Sequence, residues 1–484
     1  MITGANAPAG SARAAAAAAV AACTLLALQL IVLGGRAQIF GDFHAFYCGG
    51  AAVLHGLNPY AAASIARCEA LAQPFGLHHT AGGVTAPVPF PGYAFALFAP
   101  FALLPYVASS LLWLVLLLVT GAASAVLLSR LSSVPLWIAL TITGSAYAIA
   151  VTALGEVASI ALAAVCAAAL ALRAQRFWLC ALWLSVAAIL PHVLLPALVA
   201  VMLFSPRSRL PLLVCGAALL ALDVALTGRV AALEYFTGVL PAHARSEIGY
   251  IAQYGLTWMA HAAGAGDRAA LALGNLGYAA AAVAGIACAA VLARRRRDAA
   301  MLVAIPCAFS VAGGPFMHYS EITLAFPAAL LLYAHSLPPA RAWYVAAVML
   351  LCVPWQWMIG EPLLAVPAGL LTVYAAASGL MRSADAGLRS AAAALLYACA
   401  LLVIAVLFGP QVQHLGGGAS SGALAQSAWA HYIRTQGASG GAVWWLAKAP
   451  TWLGLAALTA CGAYAAAKKD LVTAALIDRA PAGL

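Results

Sequence analysis

Residues 14–34 read AAAAAAVAACTLLALQLIVLG, and residues 41–47 read GDFHAFY. The first stretch is apolar over the length that an α-helix needs to cross a bilayer. Only Arg13 precedes it as a basic residue, and no small-residue cleavage site follows it, so it predicts a retained anchor with a cytoplasmic N-terminus. The second stretch places Asp42 just beyond this anchor in a chain with few charges, which makes its carboxyl group a candidate catalytic base.

The whole chain has the composition of a membrane protein. Of its 484 residues, 65% are hydrophobic and 7% are charged, which leaves too little polar surface for a water-soluble globule. The sequence predicts an all-α polytopic membrane protein with about 12 to 14 transmembrane helices. Besides the first run, apolar runs lie at residues 107–128, 135–154, 157–172, 177–204, 210–226, 269–293, 299–313, 322–335, 342–359, 363–381, 391–408 and 451–467.

The run 177–204 is too long for one span. Pro191 and His192 interrupt its middle, and arginines lie at both of its ends. Because proline breaks a helix and basic residues favour one side of the membrane, we expect two short helices that turn at Pro191.

With that turn, most basic residues fall on one side of the membrane, among them Arg294–Arg297. By the positive-inside rule this side is cytoplasmic, and it holds both termini. The net charge of +10 is then explained by topology and attraction to anionic lipids, without nucleic acid. The chain is expected to be one membrane domain over residues 1–484, with extracytoplasmic segments at 35–106, 227–268 and 409–450.

The first of these segments contains short elements that suit the membrane interface. Residues 46–56 and 61–72 are predicted as interfacial helices, followed by a proline-rich stretch at 87–92 and an apolar piece at 93–104. Cys48 and Cys68 lie one in each helix. A bridge between them would stabilise the fold by about 3 kcal/mol, but the sequence leaves open whether it forms. Cysteine and histidine show no metal-ligand spacing.

Three stretches together resemble glycosyltransferase family 87 of the GT-C superfamily. They are residues 42–60 (DFHAFYCGGAAVLHGLNPY), residues 88–105 (VPFPGYAFALFAPFALLP) and residues 314–327 (GPFMHYSEITLAFP). Gly92 stands where the family pattern has a second proline, and residues 155–158 (GEVA) replace a Gly-Gln-X-Asn segment. The resemblance implies a GT-C-like bundle and an inverting transferase that moves a sugar, commonly mannose, from a polyprenyl-phosphate carrier to a lipid or glycan acceptor at the outer leaflet.

The candidate site residues follow from this chemistry, which needs a base, a partner for the leaving phosphate and a lipid groove. Asp42 matches the family acid and is the expected base, with helix capping as its alternative role. His318 matches the histidine of the late loop, with simple packing as the alternative. The residues expected to bind substrate are Arg245, Tyr319, Glu321, His44, Glu156 and His192.

Several of these side chains have a more specific expectation. Arg245 suits phosphate geometry, but it could instead form a surface ion pair with Glu247 or Glu234. Glu321 is expected to hold the His318 imidazole or to serve as a second base.

A secondary transporter or lipid flippase in the bacterial inner membrane is the alternative function, and an inactive scaffold is a third. Acidic residues that cluster beside the outer leaflet favour sugar transfer, whereas a row of charged residues that crosses the bundle favours transport. No cofactor is expected beyond the lipid-linked sugar as co-substrate, and the need for a divalent ion is left open. The expected partners are the donor, the acceptor and membrane lipids.

Overall fold

A computed structural model describes residues 41–71, 85–149, 155–353, 424–435 and 441–468, with positions 20 and 371 in isolation. These residues are helical and form no strand. The predicted runs 14–34, 363–381 and 391–408 lie outside the described residues, apart from those two positions. The helices are α1 Gly41–Leu54, α2 Ala62–Leu71, α3 Phe95–Ala102, α4 Tyr106–Ser132, α5 Leu136–Ile149, α6 Ala158–Arg173, α7 Phe177–Ala187, α8 Pro191–Phe204, α9 Arg209–Glu234, α10 Leu240–Ser246, α11 Leu256–Ala262, α12 Asp267–Arg296, α13 Met301–Gly313, α14 Phe326–Ala334, α15 Pro338–Leu351, α16 Ala425–Thr435 and α17 Ala442–Ala467.

Three helical stretches are long and apolar enough to cross a membrane: α4, residues Pro206–Ser246 and α12. They expose large apolar side chains, such as Leu111 and Leu118 on α4, which suits contact with lipid. The chain is therefore a membrane protein. The other apolar helices are shorter, so the larger number of 12 to 14 spans stays a prediction.

Helix α13 forms the centre of the bundle, and nearly every one of its side chains is buried. Helix α12 packs along it with small residues at the contact. A Cβ atom on Gly285 would lie 2.7 Å from Cβ of Phe309, so glycine is what allows the two backbones to approach.

The break predicted at Pro191 is confirmed. Helix α7 ends at Ala187, and α8 begins with Pro191 at its first position, where a missing N–H costs nothing. His192 therefore lies at the start of a helix.

The first segment differs from expectation at its beginning. Helix α1 already includes Gly41, before the predicted start at residue 46, and Asp42 lies in its first turn, where an acid complements the positive end of a helix. Phe43 anchors α1 to α4, with its ring stacked on Trp113 at a centroid distance of 4.8 Å. Cys48 and Cys68 form a disulfide that joins α1 to α2.

The departure at Gly92 has a structural explanation. A Cβ atom there would collide with the carboxylate of Asp223, which α9 brings against the Gly92 backbone. Asp223 is buried against this turn. A larger residue at position 92 would require the side chains of Asp223 and Thr227 to move.

Candidate active site

One cavity gathers acids and histidines at the end of the bundle where α1 begins, with an empty space of about 950 Å³ that includes its open mouth. Asp42, Glu247 and Trp429 line it, one from each of the segments 35–106, 227–268 and 409–450. Among the described residues, no arginine or lysine lines the cavity. The other ionisable residues of its wall, tyrosines apart, are Glu156, His192, His243, His318 and Glu321.

Asp42 and Glu156 form a hydrogen-bonded pair of carboxyl groups in this cavity. Glu156 follows Gly155, which has φ +76°, a conformation that favours glycine. The indole N–H of Trp113 donates to the Gly155 carbonyl oxygen over 2.8 Å and fixes the turn. Since ionised carboxylates only accept hydrogen bonds, one member of the pair must carry a proton.

The surroundings of this pair favour a proton on Asp42. Burial raises the pKa of Asp42 well above its usual range, and the negative charge of Glu156 raises it further, whereas His318 opposes the shift. Burial also raises the pKa of Glu156, against the charge of His318 and the hydrogen bond from Asp42. A carboxyl group whose pKa lies nearer neutrality is better suited to general-base catalysis.

His318 lies opposite this pair and is held by Glu247. Its Nε2 atom lies 3.2 Å from Oε2 of Glu247 and 3.1 Å from Nε2 of Gln253. Burial lowers the pKa of His318, but the hydrogen bond and charge of Glu247, with the charges of Glu321 and Glu156, outweigh it and raise the pKa to about 10. The surrounding carboxylates therefore favour the cationic form of the imidazole.

Glu321 and His318 form a capping box: the backbone N–H of Glu321 donates to the His318 side chain, and one carboxylate oxygen of Glu321 accepts the backbone N–H of His318 over 2.9 Å. The other oxygen of Glu321 lies 2.6 Å from Nε2 of His192. Glu321 therefore contacts the His318 ring through its backbone and the His192 ring through its carboxylate. The Tyr319 side chain also lines the cavity.

Two of the expected substrate-binding residues lie elsewhere. Arg245 is exposed and is not part of the cavity wall. His44 is buried outside the cavity, where Nε2 lies 2.9 Å from the carbonyl oxygen of Glu69. The structure thus brings together Asp42, Glu156, His192, His318, Tyr319 and Glu321, and it does not bring Arg245 or His44 to them.

The remaining wall of the cavity is apolar. Phe46 of α1, the proline-rich stretch with Phe90, and Leu240 at the start of α10 line it. Tyr250 and Trp429 add an aromatic edge, with ring centroids 5.7 Å apart. One cavity therefore offers both an apolar surface and a cluster of ionisable groups.

Four participants were not predicted as site residues from the sequence: Glu247, His243, Gln253 and Trp429. Glu247 accepts hydrogen bonds from the indole of Trp429 and from Gln253, in addition to its contact with His318. His243 and Glu247 are four positions apart, a spacing that places them on one helix face, so this pair was the available signal. Gln253 and Trp429 had no such signal. Within the described ranges, no three His, Cys, Asp or Glu side chains are arranged to hold a metal ion.

The comparison with known families bears on this site. Residues 90–314, a little under half of the chain, match the model of glycosyltransferase family 87. This match confirms the resemblance to family 87 that the sequence motifs indicated. It indicates a glycosyltransferase. The matched region contains Glu156, His192 and Glu247, whereas Asp42 lies well before it and His318 just after it. No curated protein and no solved structure matches the chain significantly.

Proposed function

We propose that this protein is an inverting transferase that moves a sugar, mannose by its resemblance, from a polyprenyl-phosphate carrier to a lipid or glycan acceptor. The reaction takes place at the outer leaflet of the bacterial plasma membrane. The observation that carries the proposal is the position of Asp42, which lies in a cavity with an apolar wall on one side and an ionisable wall on the other. The apolar wall suits a lipid chain, and the ionisable wall suits a sugar phosphate.

Asp42 acts as the base in a single displacement. The acceptor oxygen attacks the anomeric carbon, the bond from that carbon to the phosphate oxygen breaks, and the phosphate leaves with the electron pair. Asp42 takes the acceptor proton, for which its carboxyl group must first be ionised. In the resting pair, Glu156 is the neighbour that receives the hydrogen bond of Asp42 and can take up the shared proton.

Histidine is the cation available for the leaving phosphate. No arginine or lysine lines the described cavity wall, and Arg245 is exposed. The imidazolium of His318 faces the cavity with its charge stabilised by Glu247, and His192 lies beside it on Glu321. A charged donor of this kind stabilises the negative charge that develops on the departing oxygen.

The distribution of acids supports transfer over transport. Asp42, Glu156, Glu247 and Glu321 gather in one cavity. Asp298, a buried acid near the other end of α13, is engaged by Arg173. Within the described residues, the acids thus form one cluster and not the row of charged residues across the bundle that a transport pathway would need.

The test uses the full chain, purified and placed in liposomes with radiolabelled polyprenyl-phosphate mannose and candidate acceptors. We expect release of polyprenyl phosphate and, with a correct acceptor, a labelled product of inverted anomeric configuration. Parallel reactions with a chelator measure any contribution of a divalent ion. If neither this donor nor other polyprenyl-phosphate sugars turn over, even by hydrolysis, the proposed donor class is wrong.

A further inference from the structure

His243 stands outside the hydrogen-bonded pairs that the other ionisable residues of the cavity wall form, tyrosines apart. Among the described residues these pairs are Asp42 with Glu156, Glu247 with His318, and Glu321 with His192. His243 lines the same cavity and is only 3% exposed. Its Nδ1 atom is buried and has no hydrogen-bond partner in this part of the chain.

A buried nitrogen of this kind needs an explanation. A polar atom that is buried without a partner costs free energy, because it has given up its hydrogen bonds to water. Native proteins keep few such atoms, and one on a cavity wall calls for a partner that water or substrate brings in. Because no hydrogen bond from the described residues holds the His243 ring, it can turn about its Cβ–Cγ bond and present either nitrogen to the cavity.

The neighbours of the ring indicate what kind of group it can bind. Its centroid lies 5.7 Å from that of Phe316, with the two rings at 83°, and 6.4 Å from that of His318. Glu247, four positions further along the chain, contacts His318. A buried imidazole without a hydrogen-bonded carboxylate favours its uncharged form, which has one donor and one acceptor. Such a ring suits a hydroxyl group, whereas the cationic form of His318 suits a phosphate.

We propose that His243 hydrogen-bonds the hydroxyl on the carbon next to the anomeric carbon of the donor sugar, and so selects the sugar that is transferred. The inference rests on the proposed function, in which His318 meets the phosphate that the anomeric carbon carries. Of the sugar hydroxyls, the one on the adjacent carbon lies nearest to that phosphate, and the ring of His243 lies beside that of His318. A site that binds a hydroxyl through a buried polar group rejects an analogue that lacks the hydroxyl, because the group is then left without a partner.

The decisive experiment compares polyprenyl-phosphate mannose with its 2-deoxy analogue, which lacks this hydroxyl, as donors for the full chain in liposomes. For the wild type we expect kcat/KM to be about 10–100-fold lower with the analogue. His243→Phe keeps an aromatic ring against Phe316 and removes both nitrogens, so it should use the two donors at similar rates. Its loss with the complete donor should match the loss that the wild type shows with the analogue.

Two further variants show whether the effect belongs to the hydrogen bond. His243→Gln, which keeps a donor and an acceptor, should restore part of the preference for the complete donor. His261→Phe is the matched control, because His261 also lies in the last turn of a short helix but outside the cavity wall. This control should keep the wild-type preference. If folded His243→Phe prefers the complete donor as strongly as the wild type does, the inference is wrong.

Thermal unfolding provides a second measurement that needs no sugar transfer. Since Nδ1 of His243 is buried without a partner, His243→Phe should unfold at the wild-type temperature or above it, whereas loss of a structural hydrogen bond would lower that temperature. A clearly lower unfolding temperature would overturn the inference. If the wild type turns over no polyprenyl-phosphate sugar, the proposed function fails and the inference with it. If transfer proceeds but the wild type does not distinguish the two donors, only the inference fails.

Discussion

The two ends of α13 each carry buried carboxylates bonded to histidine, but the two clusters are built differently. Near its first residue, Asp298 is matched by a guanidinium: Nε and Nη2 of Arg173 donate to its two oxygens over 2.9 and 2.7 Å. His335 lies 3.0 Å away, and the N–H of Ala300 donates over 3.1 Å. Burial raises the pKa of Asp298, but His335 and Arg173 outweigh it and hold the pKa well below its usual range.

Beyond the last residue of α13, four carboxyl groups share the cavity with three histidines. Two of those acids bind each other, which is possible only with a shared proton. Asp298 therefore stays ionised and ties helix ends together. In the cavity, Asp42 and Glu156 have raised pKa values and share a proton, an arrangement typical of sites where protons move.

Replacing the acid at the cavity end should produce the largest effect. Asp42→Asn keeps a side chain that supports the start of α1 but removes the base, so we expect sugar transfer to fall by about 10²–10⁴-fold. Thermal unfolding should change little. Asp267→Asn is the matched control, since Asp267 also lies in the first turn of a helix but is mostly exposed. Full transfer by folded Asp42→Asn would exclude Asp42 as the base.

Breaking the Asp298 cluster at the other end of α13 should lower stability and leave sugar transfer unchanged. Arg173→Ala leaves Asp298 buried without its guanidinium, and we expect a loss of about 3 kcal/mol in the free energy of unfolding. Transfer per folded molecule should be unchanged. Denaturant titration measures the stability, and Arg176→Ala, which removes an exposed arginine three positions away, should have little effect. A loss of transfer without a loss of stability in Arg173→Ala would show that the two clusters are not separate.

Much of this arrangement could be predicted from the sequence, because it depends on the length of the apolar runs and on their order along the chain. The run 157–172 became α6 at Ala158–Arg173, and the break at Pro191 is where proline chemistry puts it. Asp42 and Glu156 were chosen because each lies at the end of an apolar run, and such positions gather at the ends of a helical bundle. His318 was chosen because it matches the late loop of the family that the sequence resembles. The bridge between Cys48 and Cys68 needed the structure, since sequence does not say whether α1 and α2 pack together.

The failures concern which way a side chain points and which distant residue it meets. Arg245 and Glu247 are two positions apart at the end of α10, so they face opposite sides of the helix turn, and Glu247 faces the cavity. The His318 ring contacts the backbone of nearby Glu321, but the carboxylate that its Nε2 atom meets is that of Glu247, 71 positions away. Trp429 reaches Glu247 across 182 positions. Contacts of that kind depend on packing between segments, which no local pattern records.

A smaller change should adjust the cavity cluster without destroying it. Glu156→Gln removes one carboxylate of the pair and places an amide donor beside Asp42. The repulsion that raises the pKa of Asp42 then disappears, and ionised Asp42 gains a hydrogen bond, so its pKa should fall. Burial, the largest cause of the raised pKa, is unchanged, so the pKa should stay above its usual range.

Because the base acts only when ionised, transfer falls as pH drops through the pKa of Asp42. The acidic limb of the pH–rate profile in Glu156→Gln should therefore lie at lower pH than in the wild type. Glu234→Gln serves as the control, because Glu234 accepts a hydrogen bond from Asn58 and lies outside the cavity wall. The acidic limb could instead stay in place in Glu156→Gln, or shift equally in Glu234→Gln. Either result would mean that Asp42 and Glu156 do not share a proton, and the contrast between the cavity cluster and the Asp298 cluster would then be lost.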